Sequence, residues 1–250
     1  TDYSGLPVLP AAIDRSTIAV AAVRNDGRIE LSNIDPEYPA RGFQIEKRIP
    51  PYAAGDWANY VKAAVQGVID HFGDRGLDPR SLRGADLIID GQVPVAAGLS
   101  SSAALTITCT LALMAVNGLE QPALETAQMS ARSEWYVGTM AGGMDQAASM
   151  LGQRDHALFI EFNPLRVAAV AMPPDAALVV ADSGEIADKS GRVREEYNRR
   201  VVECSIAARI LARALRIENV RLLGDVVRRC ERRSAGALVK TLASTAPERL

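Results

Sequence analysis

The spacing of apolar positions changes several times along the chain, and each change predicts an element. Residues 16–24 are apolar and rich in β-branched types, which reads as a strand. Asn25-Asp26-Gly27 supplies a turn and residues 28–32 read as a returning strand, so the two predict a hairpin. Over residues 56–72 the apolar positions fall at helical spacing, with Asp56 as N-cap and Gly73 as stop. Residues 85–90 form a short apolar strand ending at Gly91, and a loop of small residues from Pro94 to Ala103 leads into an apolar helix reaching about Val116. A second helix covers roughly 122–136, and a glycine-rich break at 138–143 precedes a helix over 144–150. Strands are predicted at 157–162, 167–172 and 177–181. Past Pro173-Pro174 the character changes to strongly helical from 193 to 215, with helices continuing to the end of the chain. This places a domain boundary near Pro174.

Composition mainly excludes. With 48% hydrophobic and 23% charged residues, 250 residues are ordinary globular material for one large domain or two smaller ones. Aromatics make up only 5%, so the core must rest on Ala, Val, Leu and Ile. A net charge of −2, with acids and bases interspersed, lacks the basic surface that nucleic acid requires. The one dense basic run, at 228–233, reads as a solvated helix face. Cys109, Cys204 and Cys230 are scattered, without CxxC spacing, which fits reduced thiols in a cytoplasmic protein. Neither a membrane span nor a signal peptide is evident. His71 and His156 are the only histidines, which argues against a Ser/His/Asp hydrolase and a His-rich zinc site; both are expected at the surface.

The candidate chemistry starts around Gly98. A strand, a loop of small residues and a helix follow one another there, so backbone N–H groups and the positive end of a helix dipole can meet an anion. Ser100, Ser101 and Ser102 add hydroxyls for phosphate oxygens or a magnesium ion. A GxxxxGK[ST] motif is missing, which disfavours the P-loop class. A plain helix cap also fits the loop, although one serine suffices for capping.

Pro94-Val95-Ala96-Ala97-Gly98-Leu99-Ser100-Ser101-Ser102-Ala103 resembles the second signature motif of the GHMP kinases, Pro-x-x-x-Gly-Leu-x-Ser-Ser-Ala, at every fixed position. Other segments resemble galactokinases in the same order: Asp2-Tyr3 with Gly5 and the Leu9-Pro10 stretch, Trp57-x-Asn59-Tyr60, Gly142-Gly143-Met144-Asp145-Gln146, and Tyr197-Asn198-x-Arg200. The resemblance implies an α+β GHMP kinase fold. Residues 1–174 would be an N-terminal domain with a mixed sheet like that of ribosomal protein S5, and residues 175–250 the incomplete start of a ferredoxin-like C-terminal domain.

It further implies ATP and Mg²⁺ as cofactors, and phosphorylation of the anomeric hydroxyl of galactose to galactose 1-phosphate. Asp145 would contact the attacking hydroxyl, as full base or as orienting group; read without the resemblance, it is a helix N-cap. Pro94, Gly98, Leu99, Ser100, Ser101, Ser102 and Ala103 would hold ATP. Ser102 and Glu134 would hold the metal, Glu134 being otherwise a solvated helix residue. Asp2, Tyr3, Gly142, Asp145 and Tyr197 would hold the sugar, Tyr197 being otherwise a surface aromatic. Trp57 and Tyr60 fit either a core or a nucleobase wall. The implied partners are the sugar and ATP alone, with no nucleic acid or membrane, on a cytoplasmic monomer.

N-acetylgalactosamine and L-arabinose remain alternative substrates. Ala141-Gly142-Gly143, residues 161–166, Asp182-Ser183 with Lys189, and residues 200–204 resemble the N-acetylgalactosamine kinase branch equally well. A galactose sensor without catalysis is a further alternative, against which the intact serine loop and Asp145 speak. An Arg, Glu and His that precede Thr-Asp-Tyr in galactokinases, and a glycine-rich third motif, have no counterpart in these residues. The chain is therefore expected to be an interior fragment, inactive by itself.

Overall fold

The computed structural model describes residues 1–186, 192–230 and 235–244. Its main sheet has four strands in the order β1-β4-β2-β3: β1 (Thr17–Arg24), β2 (Arg28–Asn33), β3 (Arg41–Gln44) and β4 (Gly84–Gly91). β4 runs antiparallel to β1, with Thr17 opposite Gly91, and parallel to β2, with Ile29 opposite Ala85. The predicted hairpin of β1 and β2 is therefore split by a strand from later in the chain. Two features explain the insertion. Ile29 and Leu31 on β2 and Ala85, Leu87 and Ile89 on β4 are all nearly inaccessible, so the two strands share one apolar face. Each fully buried Leu or Ile on that face contributes about 2 kcal/mol. At the mouth of the turn, a Cβ on Gly84 would run into the Arg28 backbone, so glycine alone admits β4 there.

β3 was not predicted. It pairs with β2, and Gly42 leaves room for the Glu30 side chain that crosses it. On the buried face lie α1 (Ala58–Gly73) and α2 (Ser101–Asn117), followed by α3 (Ala123–Ser133), a 3-10 turn at Glu134–Val137 and α4 (Met144–Leu151). The expected Asp56 cap is present: its carboxylate accepts from Ala58 N–H at 3.0 Å and also pairs with Arg41 at 2.8 Å.

A second sheet pairs β5 (His156–Glu161) with β6 (Arg166–Ala171). The other edge of β5 takes the N-terminal segment. Val8 N–H donates to Ile160 O at 3.0 Å, Ile160 N–H to Val8 O at 2.9 Å, and Leu158 N–H to Pro10 O at 2.7 Å. Those bonds hold the first residues of the chain against α4. The strand predicted at 177–181 does not form; Leu178, Val179 and Val180 are exposed, without a ladder partner among the described residues.

α5 (Arg192–Leu215) matches the predicted helix, and α6 (Leu223–Arg229) and α7 (Ala235–Ser244) follow. Arg228 departs from its predicted solvated role: it pairs with Asp225 and donates to Gly5 O at 3.1 Å, tying α6 to the N-terminal turn. Arg232 and Arg233 lie outside the described residues. His71 and His156 are half-buried rather than at the surface; His71 packs edge-on against Phe72, and His156 contacts the Arg154 carbonyl. All three cysteines are free thiols, and Cys109 is buried. Among the described residues no helix is long and apolar enough to cross a membrane.

Candidate active site

β4 delivers the serine loop, and the loop is shaped by backbone rather than by side chains. Ala96, Gly98 and Ser100 all have positive φ, at 55°, 73° and 60°. A left-handed conformation costs a non-glycine residue roughly 1–2 kcal/mol, so Ala96 and Ser100 hold strain of the kind concentrated at ligand sites. α2 begins without a side-chain cap, and its first backbone bond runs from Ala104 N–H to Ser100 O at 3.1 Å. Helix geometry leaves the N–H groups of Ser101, Ser102 and Ala103 without an intrahelical acceptor. Nothing lies within 4 Å of where a Cβ on Gly98 would stand, so the loop's face is open. The three serines are thus not spent on capping, and the local geometry is that of an anion cradle.

The cradle opens onto a cavity of about 950 Å³. Pro94, Gly98, Leu99, Ser100, Ser101 and Ser102, the residues assigned to ATP by the resemblance, line it, whereas Ala103 is buried at 1% exposure. Trp57 and Tyr60 form part of the cavity wall as well. Trp57 is also core, at 7% exposure, with its indole N–H donating to Pro39 O at 3.0 Å, so one residue both packs in the core and lines the cavity. Tyr52 on the same wall is fixed by Lys62, whose buried ammonium sits 3.2 Å from the ring centroid and donates to Pro50 O at 2.7 Å. Burial holds that lysine below its ordinary pKa. Tyr136, also on the wall, donates to Ile49 O at 2.9 Å, and burial pushes its phenol up to about 12.

The second half of the site is a cluster of acids and tyrosines. Asp2 accepts from Tyr3 N–H at 2.8 Å and, through its other oxygen, from Met144 N–H at 3.1 Å, so it sits at the start of α4 beside Asp145. Gly142 makes this approach possible, because a Cβ there would run into the Asp2–Tyr3 backbone. Tyr197 on α5 meets Tyr3 edge-on, with ring centroids 5.3 Å apart. Its phenol is raised well above the ordinary tyrosine range, first by burial and then by the negative charges of Asp2 and Asp145, with Tyr3 and Glu134 adding to the effect. Asp2, Tyr3, Glu134, Gly142, Asp145 and Tyr197 thus converge on one region, from positions spread over most of the chain. Glu134 is 4% exposed at the start of the 3-10 turn, not on a solvated helix face. The same turn carries Tyr136, Val137 and Gly138 to the cavity wall, which joins the two halves.

Two metal candidates, Ser102 and Glu134, fall in different halves: Ser102 lines the cavity and Glu134 stands with the carboxylates. Among the described residues no group of three or more His, Cys, Asp or Glu is placed to hold a metal. Mg²⁺ prefers hard oxygen donors and retains waters, so one buried carboxylate and one hydroxyl suit it as a donor set. Lys189, cited for the acetamido-sugar branch, lies outside the described residues.

Among the cavity residues that the sequence does not mark as site residues, two bridge α5 to the 3-10 turn. Asn198 donates to Gly138 O at 2.7 Å and accepts from Met140 N–H at 3.1 Å, and Arg194 donates to Val137 O at 3.1 Å. Their signal is helical spacing: 194 and 198 share one face of α5 with Tyr197.

Residues 59–153 match the family model of the GHMP kinases N terminal domain. A galactokinase of Dictyostelium discoideum is 36% identical over 239 residues, spanning 90% of this chain and 46% of that protein. The chain thus covers about half the length of this relative. The crystal structure of Lactococcus lactis galactokinase complexed with galactose superposes with a TM-score of 0.72 at 23% identity, over 97% of this chain and 61% of that one. Methanococcus jannaschii mevalonate kinase superposes at 0.55 and 19% identity, over 98% of this chain and 75% of its own. At such identities the solved structures show the fold alone, a mixed sheet with helices packed on it.

Proposed function

The chain carries a GHMP kinase N-terminal domain over residues 59–153, and from that premise we propose that the full-length protein transfers the γ-phosphoryl group of ATP to the anomeric hydroxyl of galactose. One observation carries the reading. Asp2, Glu134, Asp145 and Tyr197 converge in one cluster, and the 3-10 turn that starts at Glu134 carries Tyr136, Val137 and Gly138 to the cavity on which the strained, uncapped start of α2 opens, so one turn links an anion cradle to a carboxylate cluster.

In this mechanism the N–H groups of Ser101 to Ala103 and the serine hydroxyls hold the transferred phosphates. Phosphoryl transfer relies mainly on positioning and charge stabilisation, which a preorganised backbone supplies without reorganising. Asp2 accepts hydrogen bonds from ring hydroxyls, and its own fixed bonds to Tyr3 and Met144 orient it. Asp145 accepts the hydrogen bond of the attacking hydroxyl, and Tyr197 keeps its proton and donates or accepts at the sugar's edge. Glu134 and Ser102 would hold Mg²⁺, which when bound neutralises charge on the phosphate oxygens. We place the boundary between this domain and the next near Pro174, and read the protein as acting on small molecules alone.

Turnover of γ-labelled ATP by the full-length protein, with galactose, N-acetylgalactosamine and L-arabinose supplied in turn, tests the proposal. Transfer of label to galactose with the highest kcat/KM supports it. Preference for the acetamido sugar moves the substrate to that branch. Binding of sugar and ATP without label transfer makes the protein a sensor and refutes the catalytic reading.

A further inference from the structure

We propose that Arg194 binds the phosphates of the nucleotide, a role that rests on the ATP-dependent reading above. The cavity's charge balance points to it. Among the described residues lining the cavity, Asp35, Asp56 and Glu195 are acidic and Arg194 alone is cationic. A polyphosphate entering there meets the serine loop, but a helix N-terminus supplies only about half a positive charge. The one full positive charge on the described wall is the Arg194 guanidinium.

Its placement is fixed rather than incidental. Nη1 donates to Val137 O at 3.1 Å, and both Val137 and Gly138 line the same cavity. The side chain packs on Gly138, at φ +83°, where a built Cβ would stand in ordinary contact with it, 3.4 Å from Nη1. One helical turn further on, Asn198 spans the same segment with its bonds to Gly138 O and Met140 N–H. Arg194 and Asn198 thus attach one face of α5 to residues 137–140, and the helix carries the guanidinium to the cavity as a rigid element. The bond to Val137 uses one of the five N–H donors of a guanidinium, whose planar fork matches phosphate geometry. Arg194 is half-buried, which strengthens a charge-assisted bond relative to one fully in water.

The test compares binding of a non-hydrolysable ATP analogue with binding of adenosine, which fills the nucleoside part of the cavity but brings no phosphate. In the full-length protein, Arg194→Gln is expected to weaken the analogue about tenfold or more while leaving adenosine unchanged, and Arg194→Lys to recover part of the loss. Equal affinity of wild type and Arg194→Gln for the analogue would overturn the assignment while leaving the kinase reading intact. Failure of the wild type to bind the analogue at all would overturn the kinase reading itself. Should Arg194→Gln fail to fold, seen as loss of adenosine binding, the wild type decides the matter. Peptide mass mapping after phenylglyoxal treatment should show Arg194 protected by the analogue and not by adenosine. Equal labelling with and without the analogue would refute the proposal.

Discussion

Residues 92–103 make one half of the candidate site from a single continuous stretch of backbone, whereas Asp2, Glu134, Asp145 and Tyr197 make the other half from side chains gathered from distant parts of the chain. The first half needs only its own φ angles and the start of α2. The second needs the N-terminal segment clipped to β5, a glycine at 142 and the docking of α5. A local anion cradle therefore tolerates change around it, while the carboxylate cluster is exposed to any shift in three separate elements. The difference also separates two kinds of failure: damage to the cradle should appear in nucleotide affinity, and damage to the cluster in sugar affinity and in the chemical step.

Substitutions can break this contrast at either end. Asp145→Asn is expected to have the largest effect, a fall in kcat of about a thousandfold with both KM values nearly unchanged, since the amide cannot take up a proton. Steady-state kinetics on the full-length protein would check it, and a pH–rate profile of the residual activity separates proton removal from orientation. Next comes Gly142→Ala, which forces Asp2 and Tyr3 back by the width of a methyl group. A displacement of that size costs about a hundredfold in kcat/KM for the sugar, with nucleotide KM unaffected. Gly98→Ala should act on the other half alone. The new methyl meets open space, so only the left-handed φ is penalised, by about 1–2 kcal/mol, read as a several-fold rise in nucleotide KM. If Gly98→Ala changed sugar KM instead, the division into two halves would be wrong.

The smallest effect concerns the turn that joins them. Tyr136 ionises in the unfolded chain near pH 10, yet burial holds its proton in the folded chain up to about 12. Between those values the unfolded state binds fewer protons, so stability is complete below pH 10 and falls as pH rises through the window. Tyr197 contributes with the same sign. Urea midpoints measured from pH 9 upward should decline, and Tyr136→Phe should make the decline shallower.

Legibility followed the same division. The serine loop could be read from a dozen adjacent residues, because strand, loop and helix start are local and their chemistry belongs to the backbone. The helices α1, α2, α3 and α5 were legible from spacing for the same reason. Asp2, Asp145 and Tyr197 were singled out only through a family resemblance; nothing in their local patterns says that they meet. Pairing was the hardest to read. The Asn25-Asp26-Gly27 turn and its flanking strands argued for a hairpin, and only the shared apolar face of β2 and β4, with Gly84 at its edge, explains the inserted strand. The 177–181 segment shows the converse. Its Leu and Val residues have strand composition, but composition does not supply a neighbouring edge. Arg194 was passed over because a polar residue on a helix is ordinarily a solvated one, and its contact with Val137 exists only once α5 is docked.

The most direct measurement is phosphorus NMR of the full-length protein incubated with ATP, magnesium and galactose. Both halves of the site must work together for it to give a signal. A new phosphomonoester resonance coupled to the anomeric proton of the sugar, forming far more slowly with the Asp145→Asn variant, is the expected result. Release of inorganic phosphate alone, or a sugar phosphate formed equally well by Asp145→Asn, would contradict it.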